Sequence, residues 1–86
     1  MTPGAVLIDF NRRTAIVVAR GRKLTRLVAL EEGELVVRTF SPDDLELRGF
    51  RPLDYPVKRA VRKYLKHSGG VSDKARAALN LLKKGE

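Results

Sequence analysis

The sequence has no cysteine, no tryptophan and no glutamine, and His67 is its one histidine. Without thiols there are no disulfides and no thiolate metal sites, and a single imidazole cannot build a histidine cluster. Stability has to come from packing, and no cofactor is expected. Long apolar runs are also missing. The longest, Ala5–Ile8 and Ala15–Ala19, fall far short of the roughly 20 residues that cross a bilayer. The opening Met1-Thr2-Pro3-Gly4 carries neither a positive n-region nor a cleavage site, and no lipidation box is visible at either end. The expected location is therefore cytoplasmic, with no membrane partner. Only two Asn accompany abundant Arg and Glu, a balance that leans toward a thermophilic source.

What is present is a foldable globular composition, 43% apolar and 33% charged, in 86 residues. That length supports one core and so a single domain over residues 1–86. The net charge of +8 is unevenly placed: residues 1–50 hold eight Arg/Lys against seven Asp/Glu, whereas residues 51–86 hold ten against three. A cationic C-terminal third is the electrostatic footprint of a polyanion, meaning nucleic acid, ribonucleoprotein or an acidic protein surface.

Residues 1–52 show turn signals about every ten residues, which predicts an antiparallel meander. The strands expected are Ala5–Phe10, Thr14–Arg20, Leu24–Leu30, Glu34–Phe40 and Leu45–Phe50. Gly or Asn punctuates the first three gaps, at 11–13, 21–23 and 31–33. The first two strands are apolar on both faces: Val6, Ile8 and Phe10 back onto Ala5 and Leu7, and Ala15, Val17 and Ala19 onto Ile16 and Val18. Such strands must be covered twice, which favours a curled wall on one side and a helix or second subunit on the other, and hence a homodimer. Ser41-Pro42-Asp43-Asp44 breaks the fourth strand with a turn or one helical turn, and the chain then re-enters an extended run at Leu45-Glu46-Leu47. In element order, residues 4–50 resemble the SH3-like small barrels shared by many RNA-, DNA- and ribosome-associated modules, without a KOW-type glycine pattern. The resemblance implies a small barrel, a curled sheet being the other form open to the meander.

From residue 53 the apolar period changes from two to 3.6. Val57, Ala60, Val61, Tyr64 and Leu65 form one helical face, with Asp54 as the expected N-cap and Pro56 in the first turn. Gly69-Gly70 separates this helix from a second, capped by Ser72, striped by Ala75, Ala78, Leu79 and Leu82, and stopped at Gly85. The fold class is thus α+β: a five-strand meander followed by a basic helical hairpin over 53–86.

The first helix carries Lys58, Arg59, Arg62, Lys63 and Lys66 on the arc opposite its apolar face, with no carboxylate among them. Each like-charged i, i+4 pair costs a few tenths of a kcal/mol. An arc that tolerates this is suited to backbone phosphates, and Arg51 and Lys74 complete the candidate nucleic-acid-binding set. Arg12-Arg13 and Arg20, Arg22 and Lys23 decorate successive turns, which lie at opposite ends of a meander. The aromatics are Phe10, Phe40, Phe50, Tyr55 and Tyr64, most of them expected in the core, which disfavours base stacking on single strands.

The stretch KYLKHSGGVSDKARAALNLL is similar to a helix-turn-helix DNA-binding motif, with Leu65, Val71 and Leu79 at its buried positions. It departs at Lys66, where that family has a small residue, and at Arg76, where it has an inward aliphatic. Ser72, Asp73, Lys74 and Ala77 would face the groove and offer little base readout. Asp9 in VLIDFNRRTAIVV is similar to the metal-holding Asp on the first strand of RNase H and actin-like folds. Those folds need further carboxylates and phosphate-binding glycines, and here the other acids fall at turns, so no enzyme is expected. His67, at a helix C-terminus, is expected to cap. The composite reading is a non-catalytic module that grips duplex or structured nucleic acid through the basic helix. The alternative is an interaction subunit for an acidic protein.

Overall fold

The computed structural model describes residues 4–84. In chain order these form β1 (Val6–Ile8), β2 (Thr14–Arg20), β3 (Thr25–Glu31), β4 (Glu34–Phe40), α1 (Pro42–Leu47), β5 (Arg51–Pro52), α2 (Val57–Leu65) and α3 (Asp73–Lys84). The strands make one antiparallel sheet in the order β4-β3-β2-β1-β5. It is open rather than closed into a barrel, with β4 and β5 as its edges. Pro52, which lacks a backbone donor, fits such an edge. The β3–β4 turn is two residues, Glu32 (φ 52°) and Gly33 (φ 82°), the left-handed pair that matches strand twist in a tight hairpin.

Both faces of the sheet are buried within the chain. One face packs Val6, Ile16, Val28 and Leu35 against Ala60, Val61 and Tyr64 of α2 and Ala75 and Leu79 of α3. The other packs Leu7, Ala15, Val17 and Leu27 with Phe40, Leu45 and half-buried Phe50. Fully burying each large aliphatic contributes about 1.5–3 kcal/mol. The two-faced apolar strands that argued for a second subunit are covered within the chain over most of their length, by α1 and Phe50 on one face and by α2 and α3 on the other, with Val18 and Ala19 left half-buried.

Of the expected strand Leu45–Phe50, residues 45–47 are instead the second half of a helix and 48–50 its stop, and the fifth strand follows as Arg51–Pro52, paired with β1. The helix is short but closed at both ends. Ser41 Oγ accepts from the Asp44 amide at 3.2 Å while Asp44 reaches back to the Ser41 amide, a capping box, and Pro42 stands in the first turn. At the other end the Phe50 amide donates to Leu45 O and the Gly49 amide to Glu46 O, the paired bonds of a Schellman stop. Gly49 has φ 70°, and a Cβ there would also meet the Phe10 ring at 2.5 Å. This stop brings Phe50 onto the cluster that contains Leu45 and covers the second face.

Further boundaries move, the third strand by one residue, from the expected Leu24–Leu30 to Thr25–Glu31. β1 ends at Ile8 because Asp9 folds into the following turn, and Phe10, expected as the last residue of that strand, lies outside it and is 74% exposed. Helix α2 begins after Pro56, which occupies the N-cap with no side-chain cap bond, so Asp54 does not cap. A residue before proline is held out of the helical region, so Tyr55 cannot belong to the first turn. Helix α3 is capped as expected, the Ala75 amide donating to Ser72 Oγ at 3.1 Å; the expected stop at Gly85 lies outside the described residues.

The helical form of residues 42–47 gives Leu45 and Leu47 opposite fates, 6% and 77% exposed, whereas a strand would place both on one face. Leu45→Ala should cost about 2–4 kcal/mol and Leu47→Ala less than about 0.5, read from urea denaturation midpoints. Equal losses would restore the strand.

Candidate nucleic-acid interface

The candidate interface is built on the loop between β1 and β2. Asp9, 8% exposed, turns its carboxylate back on the loop, where Oδ1 accepts from the amides of Asn11 and Arg13, each at 2.9 Å. The Arg12 amide donates to Asp9 O and the Asp9 amide to Arg13 O, both at 3.1 Å. This knot holds Arg12 at φ 60°, a left-handed conformation that a non-glycine residue adopts only when its surroundings impose it. Asp9 thus fixes two arginines. Among the described residues no three His, Asp or Glu side chains gather where they could hold a metal ion.

Helix α2 is fastened above this loop at two points. Thr14 Oγ1 and Tyr64 Oη lie 2.7 Å apart. Burial pushes the Tyr64 phenol above its ordinary pKa, with the Thr14 bond pulling the other way, so the bond is one between neutral hydroxyls. Beyond the helix end, His67 Nε2 donates to Gly33 O at 2.8 Å. His67 therefore does not cap α2 with its ring. Backbone amides of Lys66 and His67 close that end on Arg62 O and Tyr64 O. Gly69 is packed so closely on the Gly33 carbonyl that no Cβ fits there.

These fastenings turn the apolar arc of α2 inward and leave Lys58, Arg59, Arg62, Lys63 and Lys66 exposed. At about 100° per residue the five cations span an arc of about 140°. On one flank, Lys58 and Arg62 line a cleft with Lys83 of α3. On the other, Lys63 shares a pocket with Arg12, Arg13 and His67. The basic loop and the basic helix, read separately in the sequence, form one surface.

The remaining candidates divide. Arg51 pairs with Ile8, and Ile8 with Thr14, so Arg51 stands in the cross-strand row that runs under the pocket, about 10 Å from Thr14 at ordinary strand spacing. Lys74 lies elsewhere, with Arg26, Val37 and Leu81 in a groove between α3 and the β4 side of the sheet. Arg22 and Lys23 line a third hollow with Glu46 and Phe50. Phe10 is exposed, whereas Phe40 and Tyr64 are buried and Phe50 and Tyr55 half-buried, so most of the aromatics do lie in or against the core.

The convergence of Arg12, Arg13 and His67 on Lys63 was not legible, since it depends on where α2 crosses the sheet. The nearest local signal was Asp9-Phe10-Asn11, an Asx turn that freezes the loop. Compared with known families, curated proteins and solved structures, the chain matches none.

If Asp9 acts as a hydrogen-bond acceptor within the loop, Asp9→Asn keeps Oδ1 and should stay within about 1 kcal/mol of wild type, while Asp9→Ala strands two amides and should cost about 1–3 kcal/mol. Denaturant titration measures both. An Asn variant as damaged as the Ala variant would mean that the negative charge itself is required.

Proposed function

We propose that this protein binds duplex or structured nucleic acid through its phosphates, on the surface formed by the outer arc of α2 with Arg12, Arg13 and Arg51. The observation that carries the reading is the pocket that joins Lys63 to Arg12 and Arg13. Two separate cationic segments have been brought together with no carboxylate in the lining.

The arrangement is costly on its own. Lys58 and Arg59 stand in the first turn of α2, which holds no acidic residue, and there they oppose the positive end of the helix dipole by about 0.3–1 kcal/mol each. Three i, i+4 like-charge pairs add to this cost. A polyanion offsets these costs by neutralisation and counterion release. Contacts of this kind position a duplex without reading its bases, so binding should depend weakly on sequence.

Salt dependence tests the proposal. Engagement of Arg59, Arg62, Lys63 and Lys66 alone gives a log–log slope of about −3 to −4, and the loop arginines should steepen it by about one to two units. Replacing Arg59, Arg62 and Lys63 by Gln keeps good helix formers and should remove about 2–3 units of slope. Replacing Arg22, Lys23 and Lys74 removes the same charge from other surfaces and should remove less than about one unit. Equal losses in both variants would reduce the effect to net charge. Failure of the wild type to bind at about 100 mM salt would remove the proposal and leave an acidic protein surface as the partner.

A further inference from the structure

Resting on that reading, we infer that the pocket between the β1–β2 loop and α2 is a receptor for a phosphomonoester, the group carried by a nucleotide or by the phosphorylated end of a strand. The cavity is about 290 Å³, near the lower bound of roughly 300 Å³ for clefts that enclose small molecules. One phosphate fills only part of it.

Its lining is divided by chemistry. Arg12, Arg13 and Lys63 supply the cationic rim, and the side chains of Leu30 and Leu35 supply an apolar floor. Leu30 is 37% exposed, an uncovered apolar surface in the middle of a charged site. A phosphate at the rim would meet the arginines through charge-assisted bonds, and a sugar or base would lie over the leucines. Nothing in an outer phosphate-binding arc requires such a floor.

The pocket also has walls. The loop closes one side, Lys63 and Tyr64 of α2 another, and His67, tied to Gly33 of the β3–β4 turn, a third. An internal phosphodiester carries one charge and needs an exit for the chain on both sides. A terminal monoester carries up to two charges and needs one exit. Three cations around a cavity walled on three sides match the second better. The walls are set in advance by the Asp9 knot, the Thr14–Tyr64 bond and the His67–Gly33 bond, so little ordering is required on binding.

The test uses full-length protein and fluorescence anisotropy with four probes: three duplexes of one sequence, ending in 5′-phosphate, in 3′-phosphate or in hydroxyls, and a labelled nucleoside monophosphate. Inorganic phosphate and the unphosphorylated nucleoside serve as competitors. At least one phosphate-terminated duplex should bind about tenfold tighter than the hydroxyl-terminated one. The double variant Arg13→Gln, Lys63→Gln should abolish that difference, and Arg59→Gln, on the outer arc, should weaken all duplexes alike and preserve it. The monophosphate should bind and be displaced by phosphate but not by the bare nucleoside. Equal, salt-sensitive binding of all duplexes would overturn the pocket and leave the outer surface standing. Binding of the monophosphate without any duplex would keep the pocket and remove the proposed function. If the end preference survives in the double variant, with its fold verified by circular dichroism, the receptor lies elsewhere and the inference fails.

Discussion

A sheet whose central strands are apolar on both faces must be covered on both, and the remaining architecture follows from that requirement. Leu7 and Val17 on one side and Ile16 and Val28 on the other are completely buried. A six-residue helix and Phe50 close the first side; α2 and α3 close the second. Because α2 gives its apolar arc to the sheet and to α3, its outward arc is cationic. The site and the core are thus two sides of one helix.

The position of that helix is set by polar contacts rather than by its apolar residues alone. Apolar packing tolerates sliding and rotation, whereas the Thr14–Tyr64 and His67–Gly33 bonds fix one register. The linker adds to this, since Leu35 donates to Gly70 O and accepts from Ser72 N, tying the start of α3 to the edge of β4. With the C-terminal end of α2 anchored, the backbone at Lys63 is held beside the Arg12–Arg13 loop. Like charges gathered there repel one another, and under the proposed function a polyanion would relieve that repulsion.

Much of this was legible in the sequence, and the failures have identifiable physics. Strands β2 and β4 and the stripes of α2 and α3 follow from periodicity and turn residues, which are local. Helix α1 was missed because six residues are too few for a 3.6 period, and Leu45-Glu46-Leu47 imitates strand alternation. Its signature lay in the ends, Ser41-Pro42-Asp43-Asp44 and Gly49, a capping box and a glycine stop. The Asp54 cap failed because Pro56 restricts its neighbour. Five cations on α2 were readable as an arc, but their junction with Arg12 and Arg13 spans about fifty residues of sequence and requires the fold.

The central claim is that α2 and the β1–β2 loop form one binding surface. Backbone amide chemical shifts of isotope-labelled protein, followed while duplex RNA is added, test it residue by residue. The account predicts changes concentrated at residues 11–14 and 58–67, fading together as salt is raised, with residues 21–24 and the α3 groove around Lys74 little affected. Changes confined to that groove and β4, or spread evenly over every basic segment, would contradict it.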